Sequence, residues 1–286
     1  MYHHRQSLVY AWMIICQAYF CALWRFFCWR WRLQYHPEEL EGKHTYMKQT
    51  LLIVRHGQTT WNVEHRLPGQ LPGVALNDTG REQAALLGEA LSVLPISAII
   101  SSPLERAYHT AAYLVQGRSI EIRKEPDLMD TNVGAWAGQR IEDVSKNDPA
   151  WKEYVKNPTV APEGVETFPL VQQRVVAAVE RWRSLDNIGA YPAFVAHADV
   201  VKVLLAHYMG LDVACAGTLH IDNASVSLVE IESDPDKGRT AHIVALGWTP
   251  RPGWLKVPNS KQQEAPESNE SQGVGNESQE VGEQKL

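Results

Sequence analysis

The stretch LLIVRHGQTTWN, residues 51–62, runs four apolar residues, Leu51 to Val54, straight into Arg55, His56 and Gly57. An uninterrupted apolar run of this length, closed by a glycine, reads as a strand buried on both faces, Leu51–Arg55. Its end carries a guanidinium and an imidazole side by side. Charge at the mouth of a buried strand is costly unless something pairs with it. The stretch therefore predicts both an element and a missing partner.

Working outward, strands and helices alternate. Thr79–Leu94 reads as a helix, with Thr79 as N-cap and Glu82 three residues on. Ala98–Ser101 is a short apolar strand, and Pro103–Val115 a helix with Pro103 in its first turn. Ile120–Arg123 is a strand, and Leu170–Ser184 a helix with Val171, Val175, Val179 and Trp182 on one face. Ala193–Ala196 is a strand, Val200–Met209 a helix, and Ser225–Ile231 and Ala241–Leu246 are strands. Such alternation predicts a three-layer α/β/α sandwich around a mostly parallel sheet. Ligands of these sheets gather at the C-terminal ends of strands. Arg55 and His56 end the first strand, Arg106 follows the second within Ser101-Ser102-Pro103-Leu104-Glu105-Arg106, and His197 follows Ala193–Ala196. Two arginines and two histidines on one edge repel one another without an anion. Arginine forks suit phosphate oxygens, and a neutral imidazole can attack phosphorus.

The two ends of the chain differ from the middle. Residues 1–46 form a hydrophobic extension that holds Trp12, Trp24, Trp29 and Trp31 and three of the four cysteines. Leu8–Trp24 carries no charge and is followed by Arg25, Arg30 and Arg32. Two readings stand side by side: a membrane anchor whose C-terminal side is cytoplasmic, or an over-long gene start with Met47 as the true beginning. Residues 258–286, built from Gln, Glu, Ser, Asn and Gly, read as a disordered polar tail. The domain between, residues 47–257, has a usual size for one α/β unit. It holds a single cysteine, Cys215, so it has no internal disulfide and suits a reducing, cytoplasmic compartment. A net charge of −6 gives no sign of a nucleic-acid surface. His3-His4 has no further ligands around it, and no metal site is expected.

The segments VRHGQTTWN, SSPLERAYHTA, LMDTNVGAWAG and FVAHADVVK come in an order that resembles the histidine phosphatase superfamily, also called phosphoglycerate mutase-like. The resemblance spans Thr50–Trp248. It implies phosphoryl transfer on a small phosphorylated metabolite, with His56 as the nucleophile that becomes phosphohistidine and its other ring nitrogen held by the Gly57 carbonyl. It implies that Arg55, Arg106, His197 and Asn62 bind phosphate oxygens. It implies no cofactor and no metal, since arginines supply the positive charge. The proton donor departs from the family pattern. Relatives carry Glu ahead of a Gly-x-Trp-x-Gly stretch, whereas Asp130 precedes Gly134, Trp136 and Gly138 here, one methylene shorter. Asp199, two residues after His197, is a rival whose blander role is an N-terminal charge on a helix. Ala198 also replaces a glycine frequent in relatives.

Three functions fit. Hydrolysis of small phosphomonoesters is favoured, because Asp130-Thr131-Asn132-Val133-Gly134 lacks the Arg and Tyr with which mutases of the family grip phosphoglycerate. A phosphomutase is the second, and a non-catalytic phosphoryl-binding protein the third. His65, His109, His207, His220 and His242 are expected on the surface or as satisfied core residues, and Trp61 and Trp136 as packing or pocket wall. Gln139–Phe168 lies where relatives place a substrate-covering insertion, and it is too long for a bare loop.

Overall fold

Strand β1 (Met47–Arg55) explains the four-residue apolar run. Side chains alternate across a strand. Leu51 and Ile53 pack on one face with Val171, Val175, Val179 and Leu204, while Leu52 and Val54 pack on the other with Leu87, Ala107, Ala111 and Leu114. With helices on both sides, no position of β1 between Leu51 and Val54 can be polar. The computed structural model describes residues 47–234 and 238–250. The N-terminal extension 1–46 with Leu8–Trp24, the end of the expected domain at 251–257, and the tail 258–286 lie outside the described residues.

Six strands form one sheet in the order β3-β2-β4-β1-β5-β6. The others are β2 (Ala98–Ser101), β3 (Ile122–Lys124), β4 (Pro192–Ala196), β5 (Val226–Asp234) and β6 (Gly238–Trp248). The pairs β1–β4, β2–β4 and β2–β3 are parallel, and β1–β5 and β5–β6 are antiparallel. The α-helices among the described residues are α1 (Thr60–Val63), α2 (Asp78–Ala90), α3 (Glu105–Val115), α4 (Ile141–Asn147), α5 (Pro149–Lys156), α6 (Phe168–Arg183) and α7 (Ala198–Met209). Residues of α2 and α3 pack in one core cluster and residues of α6 and α7 in the other. The expected three-layer sandwich with a mostly parallel sheet is present.

Several boundaries move, each for a local reason. Asn77, not Thr79, caps α2: its side chain accepts the Gly80 N–H at 2.7 Å, so the helix starts at Asp78. Asparagine is as good a cap as threonine, and it stands two residues earlier. Helix α3 starts at Glu105 rather than Pro103, because Leu104 is still extended and its N–H is taken by Ser102 Oγ at 3.3 Å. Strand β3 lies two residues later than Ile120, which still packs on the core from outside the strand. Helix α6 starts at Phe168, with Thr167 as cap and Pro169 in its first turn. Helix α7 starts at Ala198, immediately after His197. Gln139–Phe168 holds α4 and α5, anchored where Trp136, Trp151, Tyr154 and Phe168 meet ring to ring at 5.1–6.2 Å. Trp136, 3% exposed, is thus a packing residue. Among the described residues no helix is long and apolar enough to cross a membrane.

Candidate active site

The edge where β1 and β4 end carries the polar cluster. The His56 N–H donates to Ala196 O, and the His56 carbonyl accepts from Ala224, each at 3.0 Å. The histidine is thereby locked between β4 and the chain leading into β5. Its side chain is 2% exposed, with Nδ1 2.6 Å from Gly57 O. A carbonyl can only accept, so the proton sits on Nδ1 and the lone pair on Nε2. Gly57 is itself latched, its N–H donating to Thr110 Oγ1 of α3 at 3.0 Å. Only glycine fits there, since a Cβ on Gly57 would stand 2.5 Å from Gly80 O, and one on Gly80 1.9 Å from Gln58 O.

Helix α3 also delivers Arg106, which is fully buried. Its Nη2 donates to Gly69 O at 2.7 Å and Asp130 Oδ2 at 3.0 Å, while Nε and Nη1 have no hydrogen-bond partner among the described residues. Arg55 donates from Nη1 to Ile221 O at 2.6 Å and leaves a buried Nε unpaired. His197 is 0% exposed, with Nε2 2.9 Å from Ser102 Oγ. Ser102 Oγ accepts the Leu104 N–H and can donate to that nitrogen, which leaves the proton on Nδ1. That Nδ1 has no hydrogen-bond partner and lies 3.6 Å from Asp130 Oδ2. The two imidazoles stand 5.2 Å apart, centre to centre. Buried polar groups are nearly always paired. Four unpaired nitrogens around two histidines call for a compact oxyanion.

Burial, with Arg106 and Arg55 behind it, holds His56 well below the usual imidazole value. Burial, followed by Arg106 and His56, does the same for His197. Both rings are neutral at ordinary pH. Asp130 is pushed the other way: burial raises its carboxyl above the usual value, although Arg106 beside it acts against the shift. Its Oδ1 accepts the Thr131 N–H at 3.0 Å, and its side chain is 15% exposed.

The structure thus brings Arg55, His56, Arg106, Asp130 and His197 together. Asn62 lies within the short helix α1. Its carboxamide oxygen is committed to the Thr59 N–H and hydroxyl and to Asn223 Nδ2, leaving its own Nδ2 as the end free to meet an anion. Asp199 is in the first turn of α7, 3.6 Å from Lys202 Nζ, with no hydrogen bond to the cluster. His65, His109, His207, His220, His242 and Cys215 are exposed. Among the described residues, no three His, Cys, Asp or Glu side chains are grouped so as to hold a metal ion.

Four supporting roles escaped the sequence reading. Ser102 sits inside the SSPLER stretch, and Thr110 is four residues from Arg106 on the same helix face, so both had a local signal. Asn223, which donates to His56 O at 3.2 Å, and the pair Glu166–Arg174 had none. Asn223 lies 167 residues from His56, and the carbonyls that Arg174 holds lie some 45 residues upstream.

Known proteins resemble this chain. The Mycobacterium tuberculosis Bifunctional protein Rv2228c is 32% identical over 187 residues, which cover 64% of this chain and 50% of that protein. The chain thus spans about half the length of that relative. Phosphoserine phosphatase 1 of Hydrogenobacter thermophilus is 30% identical over 184 residues, covering 64% of this chain and 86% of the other. Further relatives are named for phosphoglycerate mutase. The solved structure of a mycobacterial glucosyl-3-phosphoglycerate phosphatase complexed with VO3 superposes with a TM-score of 0.62 at 29% identity, covering 70% of this chain and all of the other. The family model of the histidine phosphatase superfamily, branch 1, matches residues 51–242, from Leu51 within β1 to His242 in β6. With two thirds of its length inside that match, the chain belongs to the histidine phosphatase superfamily.

Proposed function

We propose that the protein hydrolyses small phosphomonoesters through a phosphohistidine at His56. The observation that carries this reading is the set of four unpaired buried nitrogens on Arg55, Arg106 and His197, gathered beside an imidazole whose Nδ1 proton is fixed on Gly57 O. A phosphoryl group fills that space with its oxygens on the donors. The His56 Nε2 lone pair forms the N–P bond as the ester P–O bond breaks, and the Asp130 proton goes to the leaving oxygen. Burial raises the carboxyl of Asp130, the direction that favours a proton donor. Water then attacks phosphorus, its proton passes to the Asp130 carboxylate, the N–P bond breaks, and phosphate departs. Arg55, Arg106 and His197 hold charge that builds on the equatorial oxygens, and they are oriented before the reaction begins. Asn62 Nδ2 adds a further donor. Asp130 is preferred to Asp199 as the acid because it touches Arg106 and faces His197, whereas Asp199 faces Lys202.

The test is phosphate release from a panel that includes phosphoserine, phosphoglycerates and p-nitrophenyl phosphate, run beside acid-labile phosphoenzyme labelling. Wild-type protein should turn over and label. His56→Ala should do neither. Labelling at normal yield in His56→Ala would overturn the assignment. Isomerisation of a phosphoglycerate primed by bisphosphoglycerate, in place of phosphate release, would make the protein a mutase.

A further inference from the structure

Arg174 of α6 is the counterpart of Arg106. Arg106 leaves two nitrogens without partners, whereas Arg174 spends all five of its N–H donors on the protein. Its Nε donates to Glu166 Oε1 at 2.9 Å, and its Nη2 to Glu166 Oε2 at 2.9 Å and to Asp130 O at 3.0 Å. Its Nη1 donates to Asp127 O at 2.7 Å and Met129 O at 2.8 Å. A guanidinium has five donors and no acceptor, so this one has no donor left for a substrate. Three of its five bonds end on carbonyls of one segment, 127–130, whose last residue is Asp130.

Glu166 closes the clamp from the other side. Besides its two bonds to Arg174, Oε2 accepts the Asn132 N–H at 2.7 Å, and the Glu166 N–H donates to Asn132 O at 2.8 Å. Val165 pairs with Val133 in an isolated bridge, and Tyr154 OH donates to Glu166 O at 3.1 Å. The pair is only 17% and 22% exposed, well away from the surface regime in which ion pairs contribute little.

We infer that Arg174 and Glu166 are positioning residues that hold the main chain of residues 127–132, and so aim Asp130 at Arg106 and His197. This rests on Asp130 being the proton donor proposed above. The physical need is plain: Asp130 lies beyond edge strand β3, outside any ladder, and its short side chain has one methylene with which to correct a misplaced backbone. A proton donor must come within about 2.6–3.2 Å of its target. Lysine cannot replace Arg174, because one ammonium cannot span three carbonyls and a carboxylate.

Arg174→Lys keeps the charge and removes the fork. Its kcat/KM should fall at least ~10-fold further on an alkyl phosphate, which needs a proton on its leaving oxygen, than on p-nitrophenyl phosphate. In an Asp130→Asn background the same change should cost less than ~3-fold on either ester, because the acid it positions is gone. Glu166→Gln should show the same split, more weakly. Equal losses on both esters, or a full loss on top of Asp130→Asn, would overturn the inference. A second readout is independent of turnover: amide hydrogen exchange over residues 128–133 should quicken in Arg174→Lys while that of β1 does not. Unchanged exchange there would also overturn it. If the wild-type protein hydrolyses no ester, the phosphatase reading fails, and the exchange experiment still decides whether Arg174 holds the loop.

Discussion

Vanadate, a tetrahedral oxyanion, should raise the melting temperature of this protein through Arg106. Among the described residues, Arg106 Nε and Nη1, Arg55 Nε and His197 Nδ1 are buried without hydrogen-bond partners. A ligand that binds only the folded state adds RT ln(1 + [L]/Kd), about 2.7 kcal/mol at a hundredfold excess over Kd. A domain of this size gains about 2–4 °C per kcal/mol, so the rise should be roughly 5–11 °C. Charge-assisted hydrogen bonds contribute about 1.5–3 kcal/mol each. Arg106→Met removes two of them and should weaken binding by roughly 10²–10⁴-fold. At the same vanadate concentration [L]/Kd then drops below about one, and the gain falls under ~0.4 kcal/mol, or about 2 °C or less. Thermal unfolding followed by fluorescence, with vanadate titrated into both proteins, measures this directly. An unchanged melting temperature in saturated wild-type protein would refute the reasoning. So would an undiminished rise in Arg106→Met, since the orphaned nitrogens would then not be the anion's partners.

Three further outcomes are expected. Asp130→Asn should slow alkyl phosphates by ~10²-fold or more and p-nitrophenyl phosphate far less; if Asp199→Asn shows that selectivity instead, the acid is misassigned. His56 and His197 have depressed values in the folded protein, so below their unfolded value near 6.5 only the unfolded chain takes up their protons. Stability should be full above about pH 7 and fall as pH drops toward 5, by up to about 1.4 kcal/mol per pH unit for each histidine. Asp130, raised in the folded state, acts in the opposite sense: its contribution is present below its unfolded value and is lost as pH rises through the folded one, so it flattens the decline near the carboxylate range. Urea unfolding at pH 7.5 and 5.5 reads the slope, and a flat profile would exclude two buried neutral imidazoles. Gly80→Ala should destabilise the protein by several kcal/mol and abolish phosphoenzyme formation, because its methyl would stand 1.9 Å from Gln58 O, a backbone atom that cannot swing away. Near-normal stability and labelling would show that the contact is slack.

What the sequence disclosed and what it hid follow from range. The run Leu51–Val54 revealed a central strand because both faces of β1 are covered, and Arg55, His56, Arg106 and His197 were legible because each stands at or just past a strand end. Asp130 was legible only through its neighbours Gly134, Trp136 and Gly138, since no strand leads into it. Asn77 was missed as the α2 cap because Thr79 and Glu82 imitate a capping box two residues later. Arg174 was hidden more deeply. On the α6 periodicity it reads as one polar residue among Gln172, Gln173 and Arg174, and nothing local says that its five donors end on Glu166 and on carbonyls some 45 residues upstream.

The sheet order gives the site two levels of mechanical protection. His56 and His197 extend β1 and β4, each hydrogen-bonded to strands on both sides. Asp130 hangs beyond β3, which has a neighbour on one side alone. Segments with fewer ladder bonds open first on warming. Once the Arg174–Glu166 clamp yields, Asp130 is expected to detach while His56 is still in place. On the proposed mechanism, such a half-open state would keep a histidine that activated phosphoryl donors can still modify, after losing the means to release an unactivated alcohol. Sub-denaturing heat would then act on this fold as a filter on leaving groups before it acts as an off switch.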